Sequence, residues 1–177
     1  MFKFKILKST ILPQVKFIEY SAYKDNRGFI FSIYDKEIEK KLIKFTKKKF
    51  THDKIVFRKK NILTGIHGDK KTWKLISCLR GKIYQVVVNC NEKSKNFGKY
   101  FSCFLNGKDC KSILIPPNYG NAYLTLNKEN IYYYKLAYKG RYFDHDEQFT
   151  YLWNNEKFNI KWPINNPILS SRDSKEV

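Results

Sequence analysis

What this chain lacks narrows its reading before any pattern does. No apolar run approaches the ~18 residues that read as a membrane-spanning helix, and Met1-Phe-Lys-Phe-Lys-Ile-Leu-Lys8 holds no continuous apolar segment of signal-peptide length. A cytoplasmic protein without a membrane partner is expected. Cys78, Cys90, Cys103 and Cys110 form no CxxC pair, and the first three lie in strand-like apolar stretches, so buried reduced thiols are predicted rather than a zinc site or a disulfide frame. His52, His67 and His145 are the only histidines, which makes a metal cluster improbable, and no metal is expected. Phosphate-binding GxxxxGK[ST] and GxGxxG loops are absent, as are a G-x-S-x-G elbow and a paired-His motif.

Arginine is also scarce. The formal charge is +19, from 35 basic and 16 acidic residues, yet only Arg27, Arg58, Arg80, Arg141 and Arg172 are arginines. Surfaces that read bases or clamp phosphates favour the planar guanidinium fork, whereas lysine is a hydrated point charge. The lysine surplus therefore reads as compositional bias on a solvated exterior, and no nucleic-acid partner is expected. A small anionic substrate fits the charge. Hydrophobic residues at 42% and aromatics at 17% exclude a disordered polyelectrolyte. At 177 residues the chain is read as one domain over 1–177.

An extended N-terminal stretch is broken by Pro13, and Asp25-Asn-Arg-Gly28 reads as a turn into an aromatic, β-branched strand, Phe29–Tyr34. Residues 35–48 place Ile38, Leu42, Ile43 and Phe45 at helical spacing among Lys and Glu, which predicts one helix. From about residue 53 the pattern is β, in runs at Lys54–Arg58, Ile62–His67, Trp73–Leu79, Lys82–Cys90, Lys99–Leu105, Ser112–Ile115, Ala122–Leu126 and Ile131–Tyr138. Arg80-Gly81, Asn106-Gly107 and Asn127–Asn130 supply hairpin or loop chemistry between them. Strands so spaced predict an all-β protein: a cupin or jelly-roll β-barrel with one short N-terminal helix and an irregular C-terminal tail laid over it. Within Ile83–Cys90, alternation turns Gln85 and Asn89 to one face and Tyr84, Val86, Val88 and Cys90 to the other. Amides on one face suit a barrel interior that holds a polar ligand.

Few residues carry chemistry on their own showing. His67 lies in Leu63-Thr-Gly-Ile-His-Gly-Asp69, where glycines in a strand mark a bulge or a close approach to ligand; its near-neutral pKa makes it the natural base, against a structural role. Tyr132 and Tyr134 share a strand face, and their hydroxyls need partners that a sugar or a proton transfer would supply, unless the strand is simply an aromatic core. Lys74 points either into the barrel mouth, where it could stabilise an oxyanion, or out to solvent. Asp173, isolated in a polar tail, reads by itself as a surface residue.

The ordered set Asp25-Asn-Arg-Gly-Phe29, Gly65-Ile-His67, Lys74-Leu75, Phe97-Gly-Lys99, Ile115-Pro116, Tyr134-Lys135, Trp153-Asn154, Ile160-Lys-Trp-Pro163 and Leu169-Ser-Ser-Arg-Asp173 resembles the dTDP-4-dehydrorhamnose 3,5-epimerase family. The resemblance covers about residues 25–173. It implies a cofactor-free jelly roll, a homodimer, and a substrate that is a nucleotide-activated 4-keto sugar. By correspondence, His67 is the base, assisted by Asp173; Tyr134 is the acid; Lys74 bears on the enolate oxygen; Arg27 and Arg172 contact substrate or diphosphate. Asn121 and Tyr132 complete the expected binding shell.

Departures from the family pattern concern binding. Leu63-Thr-Gly-Ile-His67 lacks the arginine of the usual L-R-G-L-H, Asn121 replaces a histidine, Ser32 a glutamate, and Gln85 and Asn89 two acids. Gly65–Asp69, Gln85–Val88, Pro116–Asn121 and Tyr132–Tyr138 look like a subgroup from capsule heptose pathways, which implies a GDP-linked 4-keto-heptose inverted at C3, C5 or both. Alternatives are a cupin 3,4-ketoisomerase and a non-catalytic basic barrel that binds polysaccharide.

Overall fold

The computed structural model describes residues 3–175. β1 (Phe4–Lys8) and β2 (Lys16–Tyr20) form a hairpin on either side of Pro13, and β3 (Tyr23–Asp25) and β4 (Gly28–Ile30) form a small separate one. The strand expected over 29–34 is thus only the end of that ribbon, because residues 31–34 leave it to approach the helix. Helix α1 (Lys36–Thr46) starts where Asp35 accepts from the Glu37 and Ile38 amides at 2.9 Å each. Its buried face is Ile38, Leu42 and Thr46, spaced i, i+4, i+8; Phe45, expected on that face, is exposed. A helix of eleven residues is marginal alone. Burial of Ile38 and Leu42, worth ~1.5–3 kcal/mol each, outweighs the cap at ~1 kcal/mol.

The remaining strands follow the expected order: β5 (His52–Arg58), β6 (Leu63–Gly68), β7 (Trp73–Arg80), β8 (Lys82–Asn89), β9 (Tyr100–Asn106), β10 (Lys111–Ile115), β11 (Tyr119–Thr125), β12 (Asn130–Ala137) and β13 (Phe149–Thr150). They build a six-stranded sheet, β1-β2-β10-β7-β12-β5, and a five-stranded sheet, β13-β6-β11-β8-β9. Arg80-Gly81, Asn106-Gly107 and Asn127–Asn130 therefore do not close hairpins. Each carries the chain from one sheet to the other, which is the jelly-roll connection, and only β8–β9 pair as neighbours within the five-stranded sheet. β11 begins three residues earlier than its apolar run suggests, because all seven of its residues, Asn121 included, are buried.

Between the sheets lies the main core, with Ile76, Ile83, Val87, Ile113, Tyr123 and Tyr132 among its members. The helix and the N-terminal residues cover the outer face of the six-stranded sheet through Ile18, Leu42, Leu75 and Leu114. Phe158, Tyr151 and Trp162 of the tail cover Val86, Val88 and Cys90 on the other outer face. All four cysteines are free, with Cys103 less deeply buried than the rest. No helix among the described residues is long and apolar enough to cross a membrane.

One backbone contact fixes the strand that carries His67. Gly65 has φ +114°, and a Cβ there would lie 2.4 Å from the Asn121 carbonyl oxygen and 2.6 Å from the Ala122 Cβ. Gly65→Ala is expected to prise β6 from β11 and to cost on the order of 2–4 kcal/mol, lowering Tm by roughly 5–15 °C. A thermal melt within 2 °C of the parent, given the ~2–4 °C shift per kcal/mol typical of this size, would contradict that account.

Candidate active site

A cavity of about 480 Å³ opens between the two sheets, lined by β5, β6, β7, β11, β12 and the C-terminal tail. His67 comes from β6 of the five-stranded sheet, and Tyr134 from β12 of the six-stranded sheet. Base and acid candidates therefore stand on opposite walls of one cavity. Lys74 on β7, Asn121 on β11, and Arg172 and Asp173 of the tail line it too.

Asp173 is only 3% exposed, which corrects the surface position its own neighbours suggest. The tail is drawn in beside β6 by backbone bonds, Ile168 N–H to the Asn61 carbonyl at 2.7 Å and Leu63 N–H to the Ile168 carbonyl at 3.0 Å. The carboxylate then accepts from the Gly65 amide at 2.9 Å and from the Ser170 hydroxyl at 2.6 Å. His67 Nε2 lies 2.8 Å from Asp173 Oδ1, although its N–H is not aligned on that oxygen, so the contact is one of charge and dipole rather than a linear hydrogen bond.

Electrostatics separate the roles. Burial depresses the His67 pKa below its usual 6.5, the Asp173 carboxylate works against this, and the Arg172 and Lys74 cations push the same way as burial. His67 is consequently a neutral base at pH 7. Burial also opposes ionisation of Asp173, but the His67 contact, the Ser170 hydroxyl and the Gly65 amide together hold its pKa below the usual carboxylate value. Lys74, 5% exposed, donates to the His67 carbonyl at 3.2 Å. Its burial brings the ammonium pKa down to about 8, with Asp69 opposing, so the cation survives at neutral pH. Burial and the nearby Tyr123, Tyr132 and Tyr142 hold the Tyr134 phenol well above 10, which keeps it protonated and able to act as an acid.

Asn121 sits opposite His67 in the β6–β11 register. Arg172 is held at the rim, its Nε donating to Thr150 Oγ1 at 3.1 Å. Two expected contacts are not at the cavity. Tyr132 is completely buried beneath it, stacked on Tyr123 with centroids 4.0 Å apart and donating to Gln85 Oε1 at 2.7 Å, because it lies one strand repeat deeper in the barrel than Tyr134. Arg27 stands on the exposed β3–β4 hairpin, bound to Asp25 at 2.6 Å, and does not line this cavity. Asn89, the other interior amide, is spent on the Ser94 turn at 3.1 Å.

The sequence reading missed Lys54, Arg58, Thr64, Tyr142 and Gln148 as lining residues. Strand alternation in β5 sets Lys54, Val56 and Arg58 on one face, a signal that was available. For Tyr142 and Gln148, on an irregular segment, nothing local points inward. Among the described residues no three His, Cys, Asp or Glu side chains gather as metal ligands would.

A jelly roll that opposes a neutral imidazole to a protonated phenol, with a buried ammonium beside the imidazole, holds the groups that moving a proton across a carbon requires. The family model for dTDP-4-dehydrorhamnose 3,5-epimerase matches residues 9–177, and the chain belongs to that family. It is an isomerase, an epimerase of the sugar-nucleotide kind. The dTDP-4-dehydrorhamnose 3,5-epimerase of Salmonella typhimurium is 30% identical over 96% of this chain and 92% of its own. A Bacillus anthracis dTDP-4-dehydrorhamnose 3,5-epimerase solved with TDP and PPi superposes with a TM-score of 0.88 at 26% identity, covering 99% of both chains. A Legionella pneumophila epimerase solved with dTDP-4-keto-L-rhamnose shares the fold, with a TM-score of 0.87 at 24% identity over 97% of this chain and 90% of its own.

Titration of the ring resonances of His67 by NMR is expected to give a pKa below 6.5. Asp173→Asn should lower it further, since the carboxylate is what opposes desolvation. A rise on that substitution would reverse the assignment of the pair.

Proposed function

We propose that the chain inverts C3, or C3 and C5, of a 4-keto-heptose carried on GDP, through an enolate. The observation that carries the epimerisation is the placement of His67 and Tyr134 on opposite walls of one cavity. The ketone at C4 acidifies the neighbouring C–H bonds, so a neutral imidazole can take a proton and leave the electron pair on the C4 oxygen as an enolate. Asp173 steadies the imidazolium that results, on the ring nitrogen facing it, which leaves the other nitrogen as the base. Lys74 places a cation where that negative charge develops. Tyr134 then gives its proton to the opposite face of the carbon, and inversion follows.

Support for the nucleotide carrier is electrostatic. Lys54, Arg58 and Arg172 line the cavity, and a second depression of about 810 Å³ shares Arg58 and Ile168 with it and adds Lys59, Lys60 and Lys128 around Phe57, with Arg80 there paired to Glu129. A diphosphate among those cations with a base against the apolar residues suits this surface. The relatives are dTDP-sugar enzymes by name. The GDP-heptose reading rests on the departures described above: Thr64 and Asn121 line the cavity where the family has an arginine and a histidine, and Gln85 hydrogen-bonds Asn121.

A homodimer accounts for two exposed features of a single copy, the first of which borders the depression assigned to the nucleotide. β5 is an unpaired sheet edge bearing exposed Ile55 and Phe57, and the β3–β4 hairpin exposes Tyr23, Phe29 and Ile30 beside Arg27. Ile55→Glu should turn a dimer in light scattering into a monomer; a parent that is already monomeric removes the dimer from the reading.

In D2O, with GDP-4-keto-heptose and dTDP-4-keto-6-deoxyglucose compared side by side, NMR should show deuterium at C3, with or without C5, and the ketone remaining at C4. His67→Asn and Tyr134→Phe should each cut inversion by about 10²–10⁴-fold with unchanged circular dichroism. A carbonyl arriving at C3 would identify a ketoisomerase, and faster turnover of the dTDP sugar would overturn the GDP assignment alone.

A further inference from the structure

The hydrogen bonds beneath the acid run in one fixed direction. Gln85 on β8 is fully buried, and the two hydrogens of its Nε2 are shared among the Val86 carbonyl at 2.8 Å, the Ala122 carbonyl at 2.9 Å and Asn121 Oδ1 at 2.8 Å. Backbone carbonyls only accept, so they decide which end of this amide is nitrogen. Gln85 Oε1 is left to accept, and it takes the Tyr132 hydroxyl at 2.7 Å. Asn121 inherits the same sense. Its Oδ1 faces the Gln85 nitrogen and, at 3.2 Å, the Tyr132 oxygen, so its Nδ2 is turned to the Tyr134 hydroxyl oxygen at 3.5 Å. Tyr134 thus accepts from Asn121, and its own hydrogen is directed to the Tyr123 hydroxyl until a substrate takes that place.

We propose that Gln85 is a positioning residue for the epimerisation, acting through Asn121 to hold an N–H against the Tyr134 oxygen so that the phenolate left by proton donation is stabilised. This deepens the epimerase reading and rests on it. A hydrogen bond to an ionised oxygen is stronger than one to a neutral phenol. The Asn121 contact therefore strengthens as the proton leaves, which favours the transition state over the ground state. Tyr132, at the bottom of the relay, has a structural part in it: its hydroxyl satisfies the Gln85 oxygen. In the family pattern an acid and a histidine occupy the positions of Gln85 and Asn121, and that pair would alter its polarity on titration. Two amides cannot titrate, so the sense of this relay is independent of pH.

The test is how the enolate partitions. His67 can return a deuteron to the face it deprotonated, giving labelled substrate without inversion, while Tyr134 delivers to the other face. With the 4-keto sugar in D2O, Gln85→Met is expected to raise the ratio of exchange without inversion to inversion at least ~10-fold, while total proton abstraction changes less than ~3-fold. If Gln85→Met does not fold, Asn121→Leu breaks the relay at its next member and is judged by the same ratio. An unchanged ratio in a folded variant of a protein whose parent inverts its substrate would make Gln85 merely structural and overturn the proposal. A parent that neither exchanges nor inverts either nucleotide sugar would take down the epimerase reading, and the role of Gln85 with it.

Discussion

Docking of the C-terminal tail along β6 is the contact on which the site depends. It brings Ser170, Arg172 and Asp173 to a cavity whose other walls are built by strands between Lys54 and Leu136. The backbone bonds from Ile168 to Asn61 and Leu63 fix the tail's register, and the Gly65 amide receives the Asp173 carboxylate 108 positions away in sequence. A buried carboxylate without such partners would be costly. Here the amide, a hydroxyl and an imidazole share the charge, so the group that stabilises the protonated base also pins the tail. Losing Asp173 would loosen the tail and weaken the base together, and only a measurement on His67 itself can tell the two apart.

Two opposed sheets are what the proposed pairing of a His and a Tyr for epimerisation requires. Within one sheet, both would approach the substrate from the same side and could only return a proton where it came from. The jelly-roll crossings at Arg80-Gly81 and Asn127–Asn130 place β7 and β12 opposite β8, β6 and β11, so that His67 and Tyr134 face each other across the substrate's space. Their environments then push them apart in acidity by the same physical means. Burial disfavours the imidazolium on one wall and the phenolate on the other, which leaves a neutral base and a neutral acid at pH 7.

Much of this was legible in the residues, and the failures have a common cause. Period-two alternation and turn residues locate β5 to β12 closely, and motif spacing picks out His67, Lys74 and Tyr134. Alternation also places Tyr132 and Tyr134 on one face, but it carries no information on depth, and a single strand repeat separates a buried stacked ring from one at the cavity. Asp173 reads as exposed because what buries it lies on β6. Arg27 matches a motif whose place in the chain is clear, and it stands on an exposed hairpin away from the cavity of its own copy. Lys54 and Arg58 are legible, since they alternate on the inner face of a strand that the sequence pattern locates.

That last point revises how the charge of +19 is to be weighed. Most lysines lie on the exterior, but the few cations at the cavity act on its chemistry as well as on binding. Arg172 and Lys74 both lower the proton affinity of His67, and Arg172 and Lys54 both lower that of Lys74. A diphosphate held among Lys54, Arg58 and Arg172 would offset those positive charges and so raise the basicity of His67 and the charge retention of Lys74 together. The anionic carrier then does more than anchor the sugar. On the proposed function its negative charge would raise the proton affinity of His67 only when a substrate is in place, tying proton abstraction to the nucleotide in a way that a larger but evenly spread surface charge could not.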